Sequence, residues 1–317
     1  MTSARVPGDW RPVIRRDGAG TGRYLLSFRG RDVTSVTGEF TDLAAILGEA
    51  AASGVDHLLL SPWITLVPVD APLPEARLVC EVQNDALLAA REAHPGRVSV
   101  VGAVALQDPP LAARQVAELA AAGMAGVEVP ASVGGRYLGD DVFAPFWEAA
   151  EAAGALVFIH PATRGFGLAA LDGYYLWNSV GNPLETAVTG AHMAMAGVLE
   201  RHPGLRVLLA HGGGALPVVR GRLRRAFAVR PEARARLTGG PDASLRRFYY
   251  DTVTHDHGLL ADLASYVGPR QVLLGSDRPF DMGTDRPVDE VRALGLGDGE
   301  PWVLGGNAAA LLGIGDV

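Results

Sequence analysis

From residue 55 onward, short runs of apolar residues alternate with longer stretches whose apolar positions recur at helical spacing. The runs at 57–61 (HLLLS), 98–106 (VSVVGAVAL), 126–129 (GVEV), 155–159 (ALVFI), 206–210 (RVLLA), 248–253 (FYYDTV) and 272–275 (VLLG) are mostly continuous rather than alternating. Strands covered by helices on both faces read this way, because neither face meets water. Amphipathic stretches near 75–93, 110–122, 142–153, 183–201 and 259–266 predict the crossover helices, with further helices near 42–52, 288–293 and 307–312. The stretch at 183–201 has a legible start: Asn182 as cap, Pro183 in the first turn and Glu185 at the capping-box position.

These are seven strand–helix units, whereas a closed parallel barrel has eight. The deficit lies at the N-terminus, where 2–16 shows no clean strand, although residues 2–7 could supply a displaced one. Residues 23–37 (RYLLSFRGRDVTSVT) predict a β-hairpin turning at Arg29-Gly30, inserted ahead of the helix at 42–52. An open dinucleotide-binding sheet would need a GxGxxG turn, which occurs nowhere in the chain. The expected fold is therefore α/β: a single (β/α)₈ TIM-like barrel over 1–317 with the hairpin inserted and its first strand missing or degenerate.

Composition narrows the chemistry. The 317 residues are 48% hydrophobic with a net charge of −7, which suits one large α/β domain. No apolar run of about 18 residues predicts a membrane span, and 1–10 lacks a signal-peptide core, so a cytoplasmic protein is expected. An acidic chain without clustered cations is a poor nucleic-acid binder. Cys80 is the only cysteine, which excludes disulfide frameworks and thiolate zinc sites. All 28 basic residues are arginine. Without lysine there is no P-loop, no Schiff base and no carboxylated-lysine metal bridge, so any metal must rely on His, Asp and Glu.

Barrel active sites lie at the C-terminal ends of the strands. Three predicted strands end in a group able to bind metal or move protons: His160-Pro161, His211 before three glycines, and Ser276-Asp277-Arg278-Pro279. The glycines after His211 suit either a tight strand-to-helix turn or exposed N–H groups that receive an anion. His94 and His202 fall at helix C-termini, His57 opens a strand on the opposite face, and His192 is mid-helix. His255 and His257 follow a strand on the active-site side, and Glu128 lies on a strand; these three keep a lesser claim on the site.

The segments FIHP (158–161), VGNPLETA (180–187), LLAHGGGALP (208–217), FYYDTVTHD (248–256), LLGSDRPF (273–280) and GGNAAALLG (305–313) stand in the order found in the amidohydrolase-2 branch of the amidohydrolase superfamily. Over about 40–313 the chain resembles that branch, and within it the 2-amino-3-carboxymuconate-6-semialdehyde and related aromatic-acid decarboxylases. The resemblance implies one divalent metal, typically zinc, held by His160 and Asp277. It implies His211 as the acid–base residue, with Asp277 also able to move a proton. Arg29 or Arg31 of the hairpin would hold the substrate carboxylate. Arg278 stands where the family often has Tyr, and Ala162 where it often has Trp. The family's opening strand ends in HxHxxP; here Val6-Pro7 align with its last positions, putting Thr2 and Ala4 where histidines belong. Either the histidines lie upstream of Met1 or this member has diverged. The expected activity is metal-dependent decarboxylation of an aromatic or unsaturated carboxylic acid by a homodimeric carboxy-lyase. A mononuclear hydrolase of an ester, lactone or amide, and a catalytically impaired barrel, remain open.

Overall fold

The computed structural model describes residues 5–6, 8–16, 24–28, 31–36 and 42–315. Strands β1 (Val13–Arg16), β2 (Tyr24–Phe28) and β3 (Arg31–Val36) form an antiparallel meander with a bulge at Leu26/Ser27. The predicted hairpin is thus present but has a third strand, β1, in a stretch expected to have none. Among the described residues β1 has one strand partner, and Val13 and Ile14 are exposed. Its apolar signal is correspondingly thin. The predicted turn at Arg29-Gly30 lies outside the described residues. Leu26 and Phe28 pack against Trp10, Trp63 and Leu66, which seats the meander beside the loop that follows the next strand.

Seven parallel strands then lie side by side in chain order. They are β4 (Leu58–Leu60), β5 (Val98–Ala103), β6 (Gly126–Pro130), β9 (Leu156–His160), β10 (Arg206–Leu209), β11 (Tyr249–Asp251) and β12 (Val272–Leu273). Between β6 and β9 stands a small hairpin not predicted from the sequence, β7 (Ser132–Val133) and β8 (Arg136–Tyr137), turning on Gly134 and Gly135. Both glycines have positive φ (57° and 78°), as tight two-residue hairpins require. The connecting helices are α1 (Leu43–Ala52), α2 (Leu73–Ala93), α3 (Pro109–Ala121), α4 (Ala144–Ala152), α5 (Asn182–Met195), α6 (Val198–Arg201), α7 (Leu216–Val229), α8 (Pro241–Leu245), α9 (His257–Val267), α10 (Pro287–Ala293) and α11 (Asn307–Leu312). Asp42, Asp108 and Asp256 cap α1, α3 and α9, accepting from Ala45, Leu111 and Leu259 N–H at 3.0, 2.9 and 2.7 Å.

The helix expected over 183–201 is two helices. Gly197 (φ +70°) breaks it after α5. Asn182 is not a cap, because a π-helical turn at Trp177–Gly181 runs directly into it. Glu185 is fully buried and bonds elsewhere, as described below.

Side chains alternate across each strand. Val127, Val129, Val157, Ile159, Val207 and Leu209 face the helices and join a core with Phe146, Trp147, Leu199 and Leu263. Leu156, Leu208 and Leu273 face inward with Phe158 and Tyr249, where Ala308 and Leu311 of α11 pack on them. β4 and β12 are the two edges of the sheet, so the described residues form a barrel open by one strand. Arg5-Val6 and Gly8–Trp10 do not fill the gap; Val6 is buried against Val79 and Val82 of α2. Thr2, Ala4 and Pro7 lie outside the described residues. The loops after β4 and β12 meet across the gap through a Trp63–Phe280 ring contact at 5.5 Å, and Arg278 pairs with Glu49 of α1. Inside runs a cavity of about 1430 Å³, from Gly54 and His57 at one end to His160, His211 and Asp277 at the other. Among the described residues no helix is long and apolar enough to cross a membrane.

The close spacing of β6 and β9 is testable. A Cβ on Gly126 would lie 1.8 Å from the Leu156 carbonyl oxygen, whereas one on Gly221 in α7 meets nothing within 4 Å. Gly126→Ala is expected to cost about 3 kcal/mol or more, and Gly221→Ala to add roughly 0.5–1 kcal/mol. Urea denaturation midpoints of the two variants should move in opposite directions.

Candidate metal and catalytic site

The parallel register delivers three side chains to one place. His160 ends β9, opposite Pro130 of β6; His211 follows β10 by two residues; Asp277 follows β12 by four. Their donor atoms all lie within 4.8 Å of one another. The His160 and His211 rings stand 5.0 Å apart at 70°, and His211 Nε2 is 3.8 Å from Asp277 Oδ2. His211 and Asp277 both hold positive φ (58° and 52°). L-residues rarely adopt that conformation, and it clusters where surrounding structure over-determines a functional group.

A buried carboxylate fixes the His211 turn. Asp251, at the end of β11, accepts from the N–H groups of His211 (2.9 Å), Gly212 (2.8 Å) and Val253 (3.0 Å). The glycines complete the turn by close approach: a Cβ on Gly214 (φ +59°) would lie 2.1 Å from the Pro183 carbonyl oxygen. The anion-binding reading of these glycines is not met. The N–H groups of Gly213, Gly214 and Ala215 already donate to Ala210, His211 and Pro183 carbonyls, and that of Gly212 to Asp251, so none is left for an anion. The tight-turn reading holds.

The two imidazoles are tuned in opposite directions. Burial, reinforced by His211, lowers the His160 pKa to about 4, so this ring is neutral. Its Nδ1 lies 2.9 Å from the Pro161 carbonyl oxygen, which places the proton there and leaves Nε2 with a lone pair. Burial also pulls His211 down, but the Asp277 side chain and the charge of Asp251 outweigh it and raise the pKa above its ordinary value. Deeper in the same cavity, burial raises the Glu128 pKa to about 8, against the pull of the Ser61 hydroxyl and with a further push from Asp277.

The mouth is shaped by the loop after β9. Glu185 Oε2 of α5 accepts from Ala162 N (3.1 Å), Thr163 N (2.9 Å) and Thr163 Oγ1 (2.7 Å), and Thr163 Oγ1 accepts in turn from Phe166 N (2.9 Å). Arg164 and Phe166, on the anchored loop, have positive φ (54° and 62°), and the Arg164 guanidinium lies over Trp177, 4.0 Å from its centroid. Tyr175 donates to Asp281 (2.9 Å), tying this loop to the one after β12.

The other predicted residues are placed as follows. Arg278 lines the cavity while pairing with Glu49 and Asp285. Arg29 lies outside the described residues, and Arg31 opens β3. Ala162 lines the cavity. His255 Nε2 and His257 Nε2 stand against the carbonyl oxygens of Met282 (2.7 Å) and Ala293 (3.1 Å), and neither they nor Glu128 joins the three-donor cluster. Sequence reasoning missed Asp251, Arg164 and the true role of Glu185. Asp251 had a usable signal, since it is one more polar residue closing an apolar strand. The other two had none, because their partners come from distant segments.

A parallel open barrel with histidines and an aspartate at its strand ends defines an amidohydrolase-type site. The chain belongs to the amidohydrolase family, whose family model (Amidohydro_2) matches residues 66–314. It is 34% identical to 2-amino-3-carboxymuconate-6-semialdehyde decarboxylase of Dictyostelium discoideum over 196 residues, covering 61% of this chain and 54% of that one. The chain spans about half the length of the first such curated relatives, 54% and 42%. It is similar to the solved 5-carboxyvanillate decarboxylase of Sphingomonas paucimobilis, with TM-score 0.75, 27% identity, and 84% and 82% of the two chains covered. A dihydroxybenzoic acid decarboxylase from Polaromonas sp., solved with bound manganese and 2-nitroresorcinol, shares the fold at TM-score 0.76 and 22% identity, covering 87% and 86%.

The Glu128 environment sets a pH signature. A carboxyl whose folded pKa rises from 4.5 to about 8 stays protonated in the native state while its unfolded counterpart ionises. Its contribution to stability is complete below 4.5 and falls away as pH rises towards about 8. In metal-stripped protein, Glu128→Gln is expected to remove that decline, so the variant gains on the parent between pH 5 and 8. Melting temperatures across that range, with equal slopes as the opposing result, check it.

Proposed function

We propose that the chain is a metal-dependent carboxy-lyase acting on an aromatic or unsaturated carboxylic acid. The observation that carries this reading is the convergence of His160, His211 and Asp277 in one cavity, their donor atoms within 4.8 Å of one another, with burial lowering the His160 pKa and the neighbouring carboxylates raising that of His211. Groups whose environments push their pKa values apart divide into different roles. His160, through Nε2, and Asp277 fit a divalent cation; His211 fits an acid. When bound there, the cation would act as a Lewis acid on a substrate oxygen. The His- and Asp-containing donor set is consistent with zinc, and manganese remains a named alternative for the test.

His211 gives its proton to the ring or chain carbon that bears the carboxylate. The C–C bond to the carboxylate then breaks, its electron pair restores the conjugated system, and CO₂ leaves. His211 is reprotonated from water, so one proton is consumed for each CO₂ released. A hydroxyl or amino group conjugated with that carbon would make its protonation easier. Trp63, Phe158, Trp177 and Phe280 line the cavity and offer faces to a planar ring. We assign the substrate carboxylate to Arg164, whose stacking on Trp177 holds a planar cation at the mouth. Arg29, Arg31 and Arg278 are further candidates for the same task. Without lysine there is no carbamate bridge, which favours one metal over a pair. A homodimer is part of the proposal, supported by exposed Val180, Leu184 and Val188 at helical spacing and by exposed Val218 on α7, which packs against α5. Light scattering tests it.

Purified protein is expected to contain one divalent ion per chain and to release CO₂ from members of a panel of hydroxy- and aminobenzoic acids. His211→Ala should keep the metal and lower kcat by about 10²–10⁴. Asp277→Ala should lose metal and turnover, and Arg164→Ala should raise KM by about tenfold or more. Hydrolysis of esters or lactones with no CO₂ release from any acid would replace this reading with the hydrolase one, and absence of metal would point to the impaired barrel.

A further inference from the structure

Below the three strand-end donors, the Glu128 carboxyl lies in the wall of the same cavity. Val127 and Val129 belong to the helix-facing core, so the alternation of β6 turns Glu128 inward. It stands in register with Phe158, one inner layer beneath His160, and lines the cavity. The residue is 2% exposed, and its Oε2 is buried with no hydrogen-bond partner among the described residues. His211 Nδ1 is a second such atom at the same site. Buried polar atoms are almost always satisfied, so an orphaned pair in one cavity points to a polar occupant.

We propose that Glu128 is a further protein ligand of the metal site, its carboxylate joining His160 and Asp277 around one divalent cation. This rests on the metal-dependent reading above. Three considerations support it. First, with His211 serving as acid, His160 and Asp277 are the two remaining donors of the cluster among the described residues, fewer than the three that catalytic zinc sites ordinarily use. Second, both carboxyls line the cavity and the charge of Asp277 opposes that of Glu128, a repulsion that a cation held by both reverses. Third, a carboxylate oxygen is a donor that zinc, manganese and magnesium all accept. Glu128 rises from about two residues below the strand end, a depth of roughly 6–7 Å, and ligation draws its carboxylate towards the mouth by rotation about its side-chain bonds.

The test uses the full 317-residue chain, stripped with chelator and titrated with Mn²⁺ and with Zn²⁺ by calorimetry. Glu128→Gln keeps the shape and removes the charge. It is expected to weaken metal affinity at least tenfold, while the metal-free variant melts no lower than the parent. A merely structural glutamate would show the reverse pattern, with unchanged affinity and a lower melting temperature. Diffraction from manganese-loaded parent protein provides a measurement independent of any variant, with a Glu128 oxygen expected about 2.2 Å from the ion. Equal affinity in parent and variant, or a Glu128 carboxylate that stays away from the bound ion, overturns the ligand assignment and leaves the metal-dependent reading standing. A parent chain that binds neither ion overturns both.

Discussion

Everything at the site depends on the register of the central parallel ladder. β9 pairs with β6 on one side and β10 on the other, residue for residue from Leu156 to Ile159 and beyond. That pairing sets His160 level with Pro130 and has Ala210 N–H donate to the Ile159 carbonyl at 3.1 Å, so His211 emerges beside His160. Because side chains alternate with period two, a slip of one residue would send Glu128 and His160 into the helix-facing core and bring valines to the mouth. The apolar residues on both faces prevent such a slip, since each face buries its own cluster.

On that scaffold, the chemistry comes from uneven burial of charge. Asp251 is buried yet accepts three backbone N–H groups, so it orders the His211 turn and adds negative charge near it. Asp277 faces the His211 ring directly, and together the two carboxylates keep the imidazole basic in a place where burial alone would neutralise it. His160, with a carbonyl on one nitrogen and His211 nearby, goes the other way. An imidazole held above its ordinary pKa and a lone-pair donor therefore stand within one cluster. The mouth follows the same logic on its apolar side. Glu185 pins a loop of positive-φ residues, so Arg164 is held against Trp177 rather than left to wander in solvent.

Most of the architecture was legible in the chain. Continuous apolar runs located all seven parallel strands within a few residues, because burial on both faces leaves a local mark. Strand-end polarity located His160, His211 and Asp277, because a parallel barrel gathers those ends whatever the loops do. Patterning missed the short or half-exposed strands β1, β7 and β8 and the break at Gly197, and it misled where a contact outside the segment took over. The helix after Asn182 looked capped, but Trp177–Gly181 continues it backwards and Glu185 turns to the loop after β9. The glycines after His211 looked open to an anion, but Asp251 and two carbonyls occupy their N–H groups.

The sequence by itself thus determined the class of fold, the seven parallel strand units found among the described residues and the identity of the three converging donors, since each follows from periodicity or from position on a strand. Tertiary structure alone decided how those donors are tuned and what surrounds them. The controlling contacts join Asp251 to His211 across 40 residues, Glu185 to Thr163 across 22, and Arg278 to Glu49 across 229. Local pattern carries no trace of such pairings. Burial, which decides whether a carboxyl such as Glu128 keeps its proton, exists only once distant segments have closed around it.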